Sequence, residues 1–356
     1  MKRSIKDLTL AEFAAHLEDC QQPSYRAQQI WQWLFQKRAT AFSEMTNLSA
    51  PLRRQLDEEF EISRLRLVRR AESADGTVKF LFALVDGESI ETVLIPEPKR
   101  LTLCVSTQAG CGFGCAFCAT ALLGFKRNLR ANEIIDQVLE ASKTLTDRRR
   151  ITHIVLMGMG EPLANYTETL KALKVMTDTS WGLGFSPRRV TLSSVGLVPQ
   201  IKNLMEETRV NLAISLHAAS DEVRGYLMPV NRKYSLRELI DCCRSLPIPR
   251  RKRITFEYVL LRGVNDSVEE AQRLAQLLRG IRCKVNVIPF NPHPGSAFQR
   301  PSEAEIERFQ HVLQEHGLQI NVRRPRGDDI QAACGQLQGE ESKHRQRPEP
   351  IAAAAS

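Results

Sequence analysis

The chain has no apolar run approaching the roughly 20 residues that a membrane helix needs. A spanning protein is excluded, and no membrane is expected as a partner. Its beginning, Met1-Lys2-Arg3-Ser4-Ile5-Lys6-Asp7, lacks the apolar core of a signal peptide and leads into amphipathic sequence. The expected compartment is the cytoplasm. An even cysteine count is missing too: nine thiols cannot form a fully paired framework, and in a reducing compartment structural disulfides are not expected. No internal repeat is visible beyond an alternation of strand-like and helix-like segments.

What is present is a globular composition, with 42% hydrophobic and 26% charged residues in 356. That length suffices for a large core with one or two small appendages. The formal net charge is +9. Basic runs recur at Arg148-Arg149-Arg150, Arg250-Arg251-Lys252-Arg253 and Arg323-Arg324-Pro325-Arg326. A balance of this sign favours a polyanionic partner, nucleic acid foremost.

Residues from about Leu8 to Phe60 read as helical, with Leu48, Leu52 and Leu56 at helical spacing. Trp31, Trp33 and Phe35 are expected in the core of that unit rather than on a stacking platform. The period then changes. Three short β-rich runs follow, broken by Asp75-Gly76 and Asp86-Gly87, and predict a small antiparallel meander. Pro96 and Pro98 are read as a closing linker. From Leu101 onward strands and helices alternate, which predicts parallel strands joined by crossover helices. The strands expected are 101–105, 151–157, 189–193, 210–216, 254–261, 284–289 and 318–322. The expected organisation is α/β: an N-terminal helical accessory domain (1–62), a β-meander and linker (63–98), a partial barrel (99–337) and a disordered tail (338–356).

Three cysteines, Cys111, Cys115 and Cys118, share the loop Gly110-Cys-Gly-Phe-Gly-Cys-Ala-Phe-Cys-Ala119. A cubic iron–sulfur cluster normally takes four thiolates, so three leave one iron free for a substrate or cofactor. Structural zinc is a poor fit, because it wants four ligands in a closed tetrahedron. The bland alternative is a buried, reduced thiol cluster with no metal. The loop follows the first strand of the alternating region, at the barrel end where chemistry collects. Other strand ends carry polar groups: Met157-Gly-Met-Gly-Glu-Pro162, Val190-Thr-Leu-Ser-Ser194, Ala213-Ile-Ser-Leu-His217 and Ile288-Pro-Phe-Asn-Pro292. Singly, such residues are more often turn-formers. Their convergence on one face is the informative feature.

The cysteine loop, with Phe117 before its last cysteine, resembles that of the radical S-adenosylmethionine enzymes. A partial (β/α)6-type barrel is then implied, with a [4Fe-4S] cluster on Cys111, Cys115 and Cys118. The same resemblance puts the cofactor against Gly160, Glu161, Ser193, Ser215, Leu216, His217 and Asn291. Further motifs, Gly124-Phe-Lys-Arg-Asn-Leu129 and Arg326-Gly-Asp-Asp-Ile-Gln-Ala-Ala-Cys-Gly-Gln-Leu337, together with the N-terminal helical region, resemble the bacterial RlmN family of RNA methyltransferases. That likeness runs from about residue 8 to about residue 340.

The family resemblance implies methylation of C2 of an adenosine in 23S ribosomal RNA and in transfer RNA. C2 lies between two ring nitrogens and is electron-poor, so a carbon radical must add to it. Two molecules of S-adenosylmethionine are implied per turnover. One methylates Cys334; the other yields a 5′-deoxyadenosyl radical that takes hydrogen from the S-methyl group. Cys104 then resolves the protein–RNA thioether, leaving a transient Cys104–Cys334 disulfide for an external dithiol to reduce. Glu91 matches the family's proton acceptor, although Cys104 could itself take the C2 proton. The implied partners are 23S rRNA, tRNA, a flavodoxin- or ferredoxin-like electron donor and a dithiol reductant, acting on a monomer. Cys20, Cys242, Cys243 and Cys283 are read as packing or incidental thiols. The related Cfr-type enzymes, which methylate C8, and radical activases acting on protein are the alternatives. The Arg-Gly-Asp-Asp wording and the fuller N-terminal domain favour C2.

Overall fold

The computed structural model describes residues 2–146 and 149–339. Arg148 of the first basic run and all but Gln338 and Gly339 of the expected tail lie outside the described residues.

The N-terminal unit packs helices α1 (Leu10–Asp19), α2 (Tyr25–Trp31) and α3 (Ala50–Glu59). Helix α1 starts where Thr9 accepts the Glu12 amide and Glu12 returns to the Thr9 amide, a reciprocal cap that satisfies two otherwise orphaned donors. Phe13 stacks on Trp31, and Trp31 meets Phe35 edge-on. Both Trp31 and Phe35 are buried, as their spacing predicted. Trp33 is only partly covered: its indole donates to Asn47, and the Lys37 ammonium sits 3.7 Å above its ring. The unit is anchored by a buried Lys6–Asp136 ion pair and by Asp7, which accepts the Asn132 amide.

Ten strands form one sheet in which chain order and spatial order coincide. The meander supplies β1 (Arg66–Glu72), β2 (Val78–Ala83) and β3 (Ser89–Glu97). The alternating region supplies β4 (Arg100–Cys104), β5 (His153–Leu156), β6 (Val190–Ser194), β7 (Asn211–Ser215), β8 (Ile254–Leu260), β9 (Cys283–Pro289) and β10 (Ile320–Val322). Strands β1 to β4 pair antiparallel, and β4 to β10 pair parallel. Helices cross between the parallel strands as predicted, including α4 (Ala131–Lys143) after β4 and α5 (Tyr166–Thr177) after β5. The expected α/β fold and partial barrel are therefore present.

The linker expected at Pro96 and Pro98 is instead a hairpin, with Pro96 opposite Leu101 and Glu97 opposite Arg100. Strand β2 pairs only as far as Leu94. Beyond that point one side of β3 is open, and a residue without an N–H is tolerated there. The meander thus continues the barrel sheet. Its register sets Val93 against Cys104 and Leu81 against Glu91, on adjoining strands.

Among the described residues strand β10 pairs only with β9, so the barrel is open. Closed barrels fill their interior with branched apolar side chains. Here Thr191, Thr255, Glu257, Lys284, Asn286 and Asn321 face inward and leave a hollow of about 520 Å³.

Candidate active site

The cysteine loop is held by a short hairpin that the sequence reading missed, Gln108–Gly110 against Phe125–Asn128. Gly110 sits at φ +72°, and a Cβ there would stand 1.9 Å from the Gly124 carbonyl oxygen. That oxygen accepts the Cys111 amide at 3.1 Å. The position is closed to any side chain, and the loop's geometry depends on it.

Cys111, Cys115 and Cys118 line one cavity of about 170 Å³ at the C-terminal ends of the parallel strands. Burial pushes all three thiols up, Cys111 to about 11. Among the described residues the group of three metal-type donors gathered within 4.8 Å is His16, Cys20 and Glu59, and the loop cysteines do not form such a group. One tetrahedral ion with metal–sulfur bonds of about 2.3 Å would need its sulfurs about 3.8 Å apart. Three thiols spread more widely around one cavity suit a multinuclear cluster.

Most of the expected cofactor residues meet this cavity: Gly160, Glu161, Ser193, Ser215, His217 and Asn291 all line it. Glu161 is buried and held by the Val195 and Leu163 amides. Burial dominates and pushes its carboxyl up to about 7. Gly160, at φ +94°, has no room for a Cβ, which would lie 2.4 Å from the side chain of Gln108. His217 adopts φ +59° and accepts the Val259 amide at Nδ1. Burial takes it down to about 3, so the imidazole is neutral and carries its proton on Nε2. Phe117 packs edge-on against it at 4.7 Å.

Leu216 is the correction. Strand alternation turns its side chain into the core, its amide donates to the Glu257 carbonyl, and its own carbonyl accepts from Arg224. It is absent from the lining of the cavity. Arg224 itself laces the site from behind, donating to the carbonyls of Leu216, Val195 and Ser215 and to the Asn231 side chain.

Cys334 is exposed and lines both the small cavity and the larger hollow. Its loop is stitched to the cysteine loop: the Ala119 amide donates to Gly335, the Thr120 hydroxyl to Leu337, and Asn291 to the Cys334 carbonyl. Cys104 is buried and lines neither space, and both thiols are free. Burial, then the proximity of Cys334, pushes Cys104 up to about 12. Glu91 is also buried rather than solvated. It pairs with Lys79 at 2.9 Å and accepts the amides of Gln338 and Gly339. It lines neither cavity, so the structure does not gather it with the other site residues.

Two groups were missed. Arg323, in a run read only as basic, reaches both cavities. Glu257 does the same from the middle of β8. Its signal was available: a carboxylate inside the apolar run Ile254-Thr-Phe-Glu-Tyr-Val-Leu260 needs a reason to be there. Burial pushes its pKa up, against the opposing pull of Arg323, Asn286 and Lys284.

Comparison with known proteins bears on this site directly. Residues 105–275 match the radical SAM superfamily, and residues 4–62 match the ribosomal RNA large subunit methyltransferase N-terminal domain. The dual-specificity RNA methyltransferase RlmN of Desulfosudis oleivorans is 52% identical over 346 residues, covering 97% of this chain and 93% of the relative. That of Syntrophobacter fumaroxidans is 51% identical, covering 94% and 98%. A crystal structure of a radical SAM methyltransferase from Sphaerobacter thermophilus superposes with a TM-score of 0.89 at 46% identity, covering 95% of this chain and all of that one.

Proposed function

The chain belongs to the RlmN family of radical SAM RNA methyltransferases, and from that premise we propose that it methylates C2 of adenosine in 23S rRNA and in tRNA through Cys334. The observation that carries the proposal is the position of Cys334, an exposed thiol on the wall shared by the cysteine-lined cavity and the hollow barrel interior. A [4Fe-4S] cluster on Cys111, Cys115 and Cys118, with S-adenosylmethionine beside it, would supply the methyl group and the radical chemistry.

The chain's own residues divide the remaining work. Cys334 receives the methyl group on one side of the wall and presents it to the base on the other. Neutral His217, fixed by the Val259 amide, and the Ser193 and Ser215 hydroxyls offer hydrogen bonds to the cofactor. Glu161 is the carboxylate beside the expected ammonium group, whose charge would draw it back to the ionised form. Cys104 is the resolving thiol. Its burial holds it in the thiol form. Glu91 and Cys104 are the two candidates for the C2 proton. A flavodoxin- or ferredoxin-like donor and a dithiol would close the cycle.

The test is nucleoside mass spectrometry of RNA treated anaerobically with the reduced enzyme and S-adenosylmethionine. Formation of 2-methyladenosine that disappears in Cys334→Ala is expected. Accumulation of 8-methyladenosine, or methylation that survives Cys334→Ala, would overturn the reading.

A further inference from the structure

The wall of the hollow beneath Cys334 carries Glu257, one carboxyl oxygen of which finds no donor among the described residues. Glu257 Oε1 accepts from Asn286 Nδ2 at 2.9 Å, and Asn286 Oδ1 accepts in turn from Asn321 Nδ2 at 3.2 Å. The two amides are thus oriented as a one-way relay that ends on the carboxyl. The second oxygen, Oε2, is buried with no partner among the described residues. A buried acceptor left without a donor is costly, and such groups mark places where a ligand completes the bonding.

The hollow also has a strongly cationic approach. At the N-terminal ends of the strands it meets a cavity of about 720 Å³, with Thr191, Thr255 and Lys284 in both walls. Arg188, Arg209, Arg250, Arg251, Lys252 and Arg253 line that mouth, and no Asp or Glu does. Among the described residues none of the six forms an ion pair with a carboxylate. Burial and the charges of Arg188 and Arg209 lower the Lys252 pKa, a measure of how crowded with like charge the mouth is.

We propose that this hollow receives the target nucleotide, and that Glu257 Oε2 accepts a hydrogen bond from the exocyclic amine of its adenine while the basic mouth holds the phosphates of the strand. The inference rests on the methyltransferase reading above and names the group that selects its base. The six-amino group is the N–H donor on adenine's edge, whereas guanine carries an oxygen acceptor at that position. Only N1 separates the amine-bearing carbon from C2. A pocket that reads one while Cys334 addresses the other must hold both groups on its wall, and this one does. At about 520 Å³ it also lies within the range of about 300–1,000 Å³ usual for small-molecule sites.

Three synthetic RNA fragments test the proposal, carrying adenosine, purine riboside or inosine at the target position. Wild type and Glu257→Ala are compared in single turnovers. Removing the amine should slow wild type about tenfold to a hundredfold, the size of a hydrogen bond to a charged group. Glu257→Ala should lose a similar factor on adenosine and little more on purine riboside. Glu257→Gln, which keeps the shape but turns an amide N–H toward the base, should favour inosine. Equal discrimination in wild type and Glu257→Ala would overturn the proposal. So would a matching loss of Cys334 S-methylation by whole-protein mass, which would assign Glu257 to the cofactor. Absence of 2-methyladenosine from wild type on the unmodified fragment would instead sink the methyltransferase reading itself.

Discussion

Replacing Gly110 with alanine should detach the cysteine loop from its supporting hairpin. At φ +72° an L-residue costs about 1–2 kcal/mol. The added Cβ would also stand 1.9 Å from the Gly124 oxygen, so the two chains must part, losing the Cys111–Gly124 hydrogen bond worth about 0.5–1.5 kcal/mol. The sum, about 1.5–3.5 kcal/mol, falls on the conformation that presents three thiols together. Cluster retention should weaken about 10- to 400-fold, read as iron and sulfide per chain after anaerobic reconstitution and a chelator challenge. Gly87→Ala is the matched control. Its φ is +87°, but nothing lies within 4 Å of the added carbon, so it should lose some fold stability and keep its iron. Iron retention by Gly110→Ala at the wild-type level, or equal loss in both variants, would refute the steric argument.

Cys104→Ala should leave the RNA tethered to Cys334, visible as a retarded band on a denaturing gel; product release at the wild-type rate would remove Cys104 from the mechanism. Neutralising Arg250, Arg251 and Arg253 together should weaken RNA binding and flatten the dependence of log affinity on log salt by about 2–3, from a slope of about 0.7–0.9 per phosphate contact. An unchanged slope would take the basic mouth out of RNA binding. Asp75 anchors the Cys334 segment by accepting the Gly327 amide. Burial raises its pKa, but bonds from Thr77, Gly327 and Ser73 outweigh this and bring it from 3.8 to about 2. A carboxyl depressed in the fold stabilises above its unfolded value and loses that contribution as pH falls. Between pH 3.8 and about 2 proteolysis around Arg326 should therefore rise in wild type, while Asp75→Asn should be cleaved readily at neutral pH. Equal resistance of the two at neutral pH would count against the anchor.

The parallel strands were legible to within a residue or two because each is a short apolar run set between helices with the 3.6-residue period. Helix α6 (Leu236–Ser245) begins and ends where its pattern does, helped by the Ser235–Glu238 cap. The linker was misread because Pro96 punctuates sequence without revealing that only one side of its strand is paired. Leu216 was swept in with Ser215 and His217, although alternation sends consecutive residues to opposite faces. The burial of Glu91 under the 338–339 backbone comes from contacts 247 and 248 residues apart, which no local pattern encodes. Glu257 was overlooked for a related reason. A single carboxylate in a strand has meaning only once the partners of both its oxygens are counted.

Because each strand of the ten-stranded sheet pairs with the next one in the chain, the sheet can grow in the order of synthesis, each strand docking on residues just made. The stretch from Gly327 to Gly339 obeys a different rule. It reaches back to Asp75, Lys79 and Thr120 across 252, 252 and 217 residues, so it can settle only on a finished scaffold. Segments added last, and held largely by hydrogen bonds with only small apolar anchors such as Ala332, Ala333 and Leu337, are among the first to open in the native state. The thiol proposed to meet two partners in one cycle is carried on the part of the molecule whose release disturbs the rest least. Hydrogen exchange should find that stretch opening well before any strand of the sheet.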